Sequence, residues 1–180
     1  LIYHEYLHIL HLDTMSQVYR MVNRVLGKVF APNLLMPRWW IEGWATYVET
    51  VYTGGGRGRS SLFDAYMRAA IYSKKPLRLS QVSNVTATWP RGTAAYLYGS
   101  RFLSYVARKY GKKRLAEIAY AYGSSLFPYN MNLVVRDVVK KSYEQLWQEW
   151  LGVLRKQYGA IAKRVKKHPL TQVRQLTRGG

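Results

Sequence analysis

The run His4-Glu5-Tyr6-Leu7-His8 restricts this chain more than any other. Residues four apart share one face of an α-helix, so there His4 and His8 can each aim a ring nitrogen at one metal ion. Glu5 follows His4 by about 100° around the helix axis. That angle sets its carboxylate beside such an ion and not on it, where it can accept a proton from water. The motif asks for a helix at the start of the chain and a third ligand carried in by another element. The plainer alternative is two helical histidines that share a face and bind nothing.

The 180 residues include no cysteine, so a thiolate zinc site and a disulfide frame are both excluded. Any metal takes nitrogen and oxygen ligands. The candidates for the third are His11, Asp13, Glu42 and Glu49. His11 lies on a neighbouring face of the first helix and reads either as a group that backs a ligand or, more simply, as an ordinary surface histidine. Asp13 reads either as a partner for the second nitrogen of a ligand histidine or as a helix cap. Glu42 stands in Trp39-Trp40-Ile41-Glu42-Gly43-Trp44-Ala45-Thr46-Tyr47. A lone acid among so many large apolar residues is costly to bury unless it is paired or bound to metal. Gly43 and Ala45 leave room for another helix to approach. Glu42 is therefore expected to turn inward; the plainer alternative is an exposed acid on an amphipathic helix. Thr46 and Glu49 fall on the same helix face, with Glu49 either backing a ligand histidine or facing solvent.

Away from the motif the apolar period is helical and strand signals are almost absent. Helices are expected up to residue 12, over 15–26 with Asp13 or Thr14 as cap and Gly27 as stop, over 38–52, and from 60 or 61 onward. Others are expected over 93–110 with Gly111 as stop, in a short stretch after it, and over 131–140. Ser142 and Gln145 form a capping box for a long last helix with the stripe Tyr143, Leu146, Trp147, Trp150, Leu151, Leu154 and Tyr158. In the second helix Met15, Val18, Tyr19, Val22, Val25 and Leu26 trace an apolar stripe. Residues 54–59 are a glycine-rich loop and 74–92 are irregular, with one helical turn near 80–82. With 16 Tyr and 6 Trp the chain can fill a core, and the class is mainly α. No apolar run reaches membrane-spanning length. The chain opens without Met and already inside the motif helix, so a preceding segment is expected.

The pairing of His-Glu-x-x-His with Trp-x-x-Glu-Gly-x-Ala-x-Tyr resembles the gluzincin zinc metallopeptidases, which include the thermolysin and aminopeptidase N types. The Glu-Gly-x-Ala run looks closest to the aminopeptidase branch and to bacterial peptidase MA-like domains. More loosely, the likeness extends to Tyr96-Leu97-Tyr98-Gly99-Ser100 and to the Trp-rich last helix, covering most of residues 3–155. It implies that residues 1–168 form the helical catalytic region of such an enzyme, with the β-sheet half lying upstream. It implies Zn²⁺ held by His4, His8 and Glu42, Glu5 as general base, and a peptide or protein as substrate. Tyr96 matches the tyrosine of a Tyr-x-Lys-Gly segment that stabilises the oxyanion, although Tyr98 stands where that family often has Lys. The helix period agrees: Tyr96 lies off the Tyr98/Phe102/Tyr105 stripe, next to the small Gly99 and Ser100; the plainer alternative is a tyrosine that only packs. Endopeptidase and aminopeptidase both remain open. The tail 169–180 reads as a linker, and Gln175-Leu176-Thr177-Arg178-Gly179-Gly180 resembles the opening of a TolB-type β-propeller repeat, which implies a larger, extracytoplasmic parent.

The formal net charge of +19 suits acidic partners such as anionic surfaces. No nucleic-acid motif accompanies the basic runs at 108–114 and 163–167, so a solvated basic face is expected and no specific nucleic acid. Two rival readings stand beside the peptidase: a zinc-binding scaffold that no longer cuts, and a basic helical protein that binds nucleic acid.

Overall fold

The computed structural model describes residues 2–125 and 131–169. Among these the chain forms nine α-helices and no strand. They are α1 (Ile2–Leu12), α2 (Gln17–Leu26), α3 (Arg38–Tyr52), α4 (Ser61–Tyr72), α5 (Leu79–Ser83), α6 (Ala94–Tyr110), α7 (Lys113–Gly123), α8 (Met131–Val139) and α9 (Tyr143–Val165). Short 3₁₀ turns occupy Pro32–Leu35, Arg57–Arg59 and Arg91–Thr93. The mainly α class and the spans follow the apolar periods closely. The propeller-like run at 175–180 and part of the expected loop before residue 131 lie outside the described residues.

The centre of the fold is the contact of α3 with α6. Gly43 and Gly99 meet there. A Cβ built on Gly99 would stand 2.1 Å from the Trp39 carbonyl oxygen, and one on Gly43 would stand 2.5 Å from the Gly99 carbonyl carbon. Only two glycines let these backbones come so close. An aromatic cluster surrounds the crossing. Trp39 packs on Tyr143 at 5.0 Å between centroids, Phe102 on Trp147 at 4.9 Å, and Trp147 on Trp150 at 4.8 Å. Such edge-to-face pairs add roughly 0.5–1.5 kcal/mol each beyond the area they bury. Ser142 caps α9 with the capping box completed by Gln145.

The helix that carries the histidines, α1, lies against α3. Its end is held by the buried Asn33, whose amide donates to the His11 carbonyl at 2.8 Å and to the Thr14 carbonyl at 2.7 Å. These carbonyls lie in the last turn of α1 and just beyond it, and the first also accepts from the Thr14 amide. The cap of α2 is Ser16, which accepts from the Tyr19 amide, and not Asp13 or Thr14. Asp13 instead pairs with Lys28 Nζ at 2.8 Å, and the Thr14 hydroxyl donates to the Leu10 carbonyl. The stripe of α2 forms, yet none of the helix is buried: Val18 is 67% and Val25 81% exposed. Tyr19 of the stripe stacks on Phe30 at 5.1 Å and donates to the Ser125 carbonyl, and Met15, ahead of the helix, reaches the interior.

Candidate metal centre

Two helices bring three donors together. His4 and His8 project from one face of α1, and Glu42 comes from α3. The two Nε2 atoms are 3.2 Å apart. Glu42 Oε2 lies 3.4 Å from His4 Nε2 and 3.6 Å from His8 Nε2. These atoms form the one group of three such donors close enough to hold a metal among the described residues. The His4 side chain is almost wholly buried, while His8 and Glu42 keep partial access to solvent. Trp39, Trp40 and Ala45 anchor α3 in the core, which turns Glu42 toward α1.

The donor set can be tested against zinc. Bonds of 2.0–2.1 Å in a tetrahedron require ligand atoms about 3.3 Å apart. The three observed edges bracket that value, and a point equidistant from the corners lies about 2 Å from each, one Zn–N or Zn–O bond length. Imidazole nitrogen and carboxylate oxygen are also the ligand chemistry zinc takes in hydrolases. The residues fit the ion.

The electrostatics favour the charge states that ligate. Burial, then the charge of Arg57, lowers the His4 pKa, so the ring is neutral at pH 7. A hydrogen bond from His8 lowers the Glu42 pKa against the opposing effect of burial, so the carboxylate is ionised. Glu5 is exposed on α1, with no hydrogen bond or ion pair among the described residues. Tyr96, from α6, stacks on His4 at 6.2 Å between centroids. Its hydroxyl interacts with Glu42 and Arg38, and burial, then the charge of Glu42, raises its pKa. Tyr98, two residues on, is core and donates no group to the site; its hydroxyl accepts from the Leu77 amide.

Arg57 is the site residue that the sequence concealed. It comes from the glycine loop, where no period marks the direction of a side chain. Gly56 sits at φ +97°, with no room for a Cβ beside the Thr50 backbone, and the Gly58 amide donates to Thr50 Oγ1 at 3.0 Å. Thus held, Arg57 Nη2 donates to Glu49 Oε2 at 3.0 Å and to His4 Nδ1 at 2.8 Å, and its Cζ stands 4.8 Å over the Tyr96 ring. A guanidinium only donates, so this contact makes Nδ1 an acceptor. Ligation through Nε2 needs the proton on Nδ1, and Glu49 Oε2, 3.5 Å from that nitrogen, is the acceptor within reach. The two demands compete at one atom.

The remaining candidates fall elsewhere. His11 is not a surface histidine: it is buried, edge-on to Trp44 at 5.2 Å, and its Nε2 has no partner. The Asp13 pair with Lys28 leaves no histidine for it to orient. Thr46 is fully buried with its hydroxyl unpartnered. No protein-family model, curated protein or solved structure matches this chain.

Proposed function

We propose that this chain is the helical catalytic region of a zinc-dependent peptidase of gluzincin type. The observation that carries the reading is the triangle of two imidazole nitrogens and one carboxylate oxygen with edges of 3.2, 3.4 and 3.6 Å. His4, His8 and Glu42 would hold the ion. Bound there, zinc supplies Lewis acidity toward a carbonyl and toward water. Glu5 accepts a proton from the attacking water on its carboxylate and delivers it to the leaving amine. The partnerless, exposed position of Glu5 leaves both oxygens available for that transfer. Tyr96 offers its hydroxyl proton to the oxygen that becomes negative, and its raised pKa keeps that proton in place at pH 7. With the ion bound, Glu49 would accept the Nδ1 proton of His4 at the expense of the Arg57 contact.

Glu5→Gln tests the assignment. It keeps the size of the side chain and removes the base. We expect one zinc per chain in both proteins, and hydrolysis of a mixed peptide pool only in the wild type. Hydrolysis that persists in Glu5→Gln would refute the mechanism, and zinc binding without hydrolysis in the wild type would leave a scaffold.

A further inference from the structure

A second cavity, distinct from the metal triangle, opens between α3, α6 and α9. Its volume is about 240 Å³. Arg101, Ser104 and Arg108 line it from α6. Their spacing of three and four puts them on one helix face. Tyr47 of α3 and Gln157 of α9 contribute further polar groups, and no carboxylate lines the cavity.

The charges around it do not balance. Arg101 Nη1 reaches Asp64 Oδ1 at 3.6 Å, but the same carboxylate serves Arg68 at 3.1 Å and accepts from the Tyr158 hydroxyl at 2.8 Å. Arg101 Nε is buried without any hydrogen-bond partner. Arg108 has no ion pair among the described residues; its Nε donates to the Ser104 carbonyl at 3.3 Å, which folds it back along α6. Two guanidinium groups facing one crevice with no carboxylate on its walls repel each other. An anion seated between them removes that repulsion.

We propose that this cavity is a binding site for a compact oxyanion of phosphate type, either inorganic phosphate or the phosphate end of a small phosphomonoester. The planar forks of two arginines match tetrahedral oxyanions in geometry as well as charge. The cavity exceeds the volume of phosphate alone and so accommodates a small organic remainder. The site is independent of the metal triangle and of the peptidase reading.

Calorimetric titration of the full chain in buffered sodium chloride tests this, with inorganic phosphate and glycerol 3-phosphate as probes. We expect one saturable site in the wild type, and binding about tenfold or more weaker in Arg101→Gln and in Arg108→Gln. Arg24→Gln on α2 removes the same charge outside the cavity and should bind as the wild type does. Arg108 is exposed, so its variant tests the site even if Arg101→Gln fails to fold. Tighter binding of glycerol 3-phosphate assigns the cavity to a phosphomonoester, and equal or weaker binding assigns it to free phosphate; either supports the site. Absence of saturable binding, or an equal loss in Arg24→Gln, would overturn the proposal by leaving only the diffuse attraction of a basic protein.

Discussion

Tyr96 covers the His4 ring with its own and directs its hydroxyl at the Glu42 side of the triangle. If it donates to a developing oxyanion, Tyr96→Phe should lower kcat by roughly 10²–10³ with little change in KM or zinc content, measured by steady-state hydrolysis and metal analysis. His11 has a different consequence. Burial brings its pKa down to about 4 from the usual 6.5. Between those values the unfolded chain binds a proton that the folded chain refuses. The resulting stability is whole above pH 6.5 and is lost as the pH falls toward 4, a change on the order of 3 kcal/mol. His11→Phe keeps the packing on Trp44 without a titrating group. Urea midpoints of the metal-free proteins at pH 7 and about pH 4.5 should fall less in the variant. The grouping of His4, His8 and Glu42 was legible because a spacing of four fixes a face and a lone acid among tryptophans has few places to go. His11 and Arg57 were not legible. Which face of α1 Trp44 covers, and where a glycine loop aims its arginine, are both decided by contacts distant in sequence.

Among the elements, the α3–α6 pair determines the site, since Glu42 precedes Gly43 and Tyr96 lies one turn before Gly99. Gly43 was readable as a place of close approach, but its partner was not, because nothing local distinguishes Gly99 from a merely tolerated helical glycine. Two substitutions separate these cases. Gly99→Ala places a methyl against the Trp39 carbonyl and the Gly43 Cα, both backbone atoms that cannot rotate away. The roughly 1 kcal/mol that alanine gains in helix propensity is outweighed by overpacking of about 1–3 kcal/mol or more. Gly152→Ala on α9 meets nothing within 4 Å and should stabilise by roughly 0.5–1 kcal/mol. Opposite shifts in the urea midpoint are the expected result. The helix spans were the most readable part of the chain, because stripes and caps are local. The fate of the α2 stripe was not, because an apolar period does not say whether anything covers it.

For the molecule as a whole, an ion at the triangle would tie α1 to α3 and favour the folded chain by mass action. At a free zinc concentration a hundred times Kd this is worth about 2.7 kcal/mol, or several degrees in Tm for a chain of this size. Removing metal with a chelator should lower Tm accordingly in the wild type and leave Glu42→Gln unmoved, which scanning calorimetry would read. The same tie bears on how Asn33 holds the fold. That clamp grips α1 at His11, about 10 Å along the axis from His4. Nearer the ligands α1 is held by α3 and by the Arg57 contact with His4, so the clamp is a second point of support: a tilt of roughly 5° about it would swing the imidazole by about 1 Å. The shape of the donor triangle therefore depends in part on an amide that never touches it.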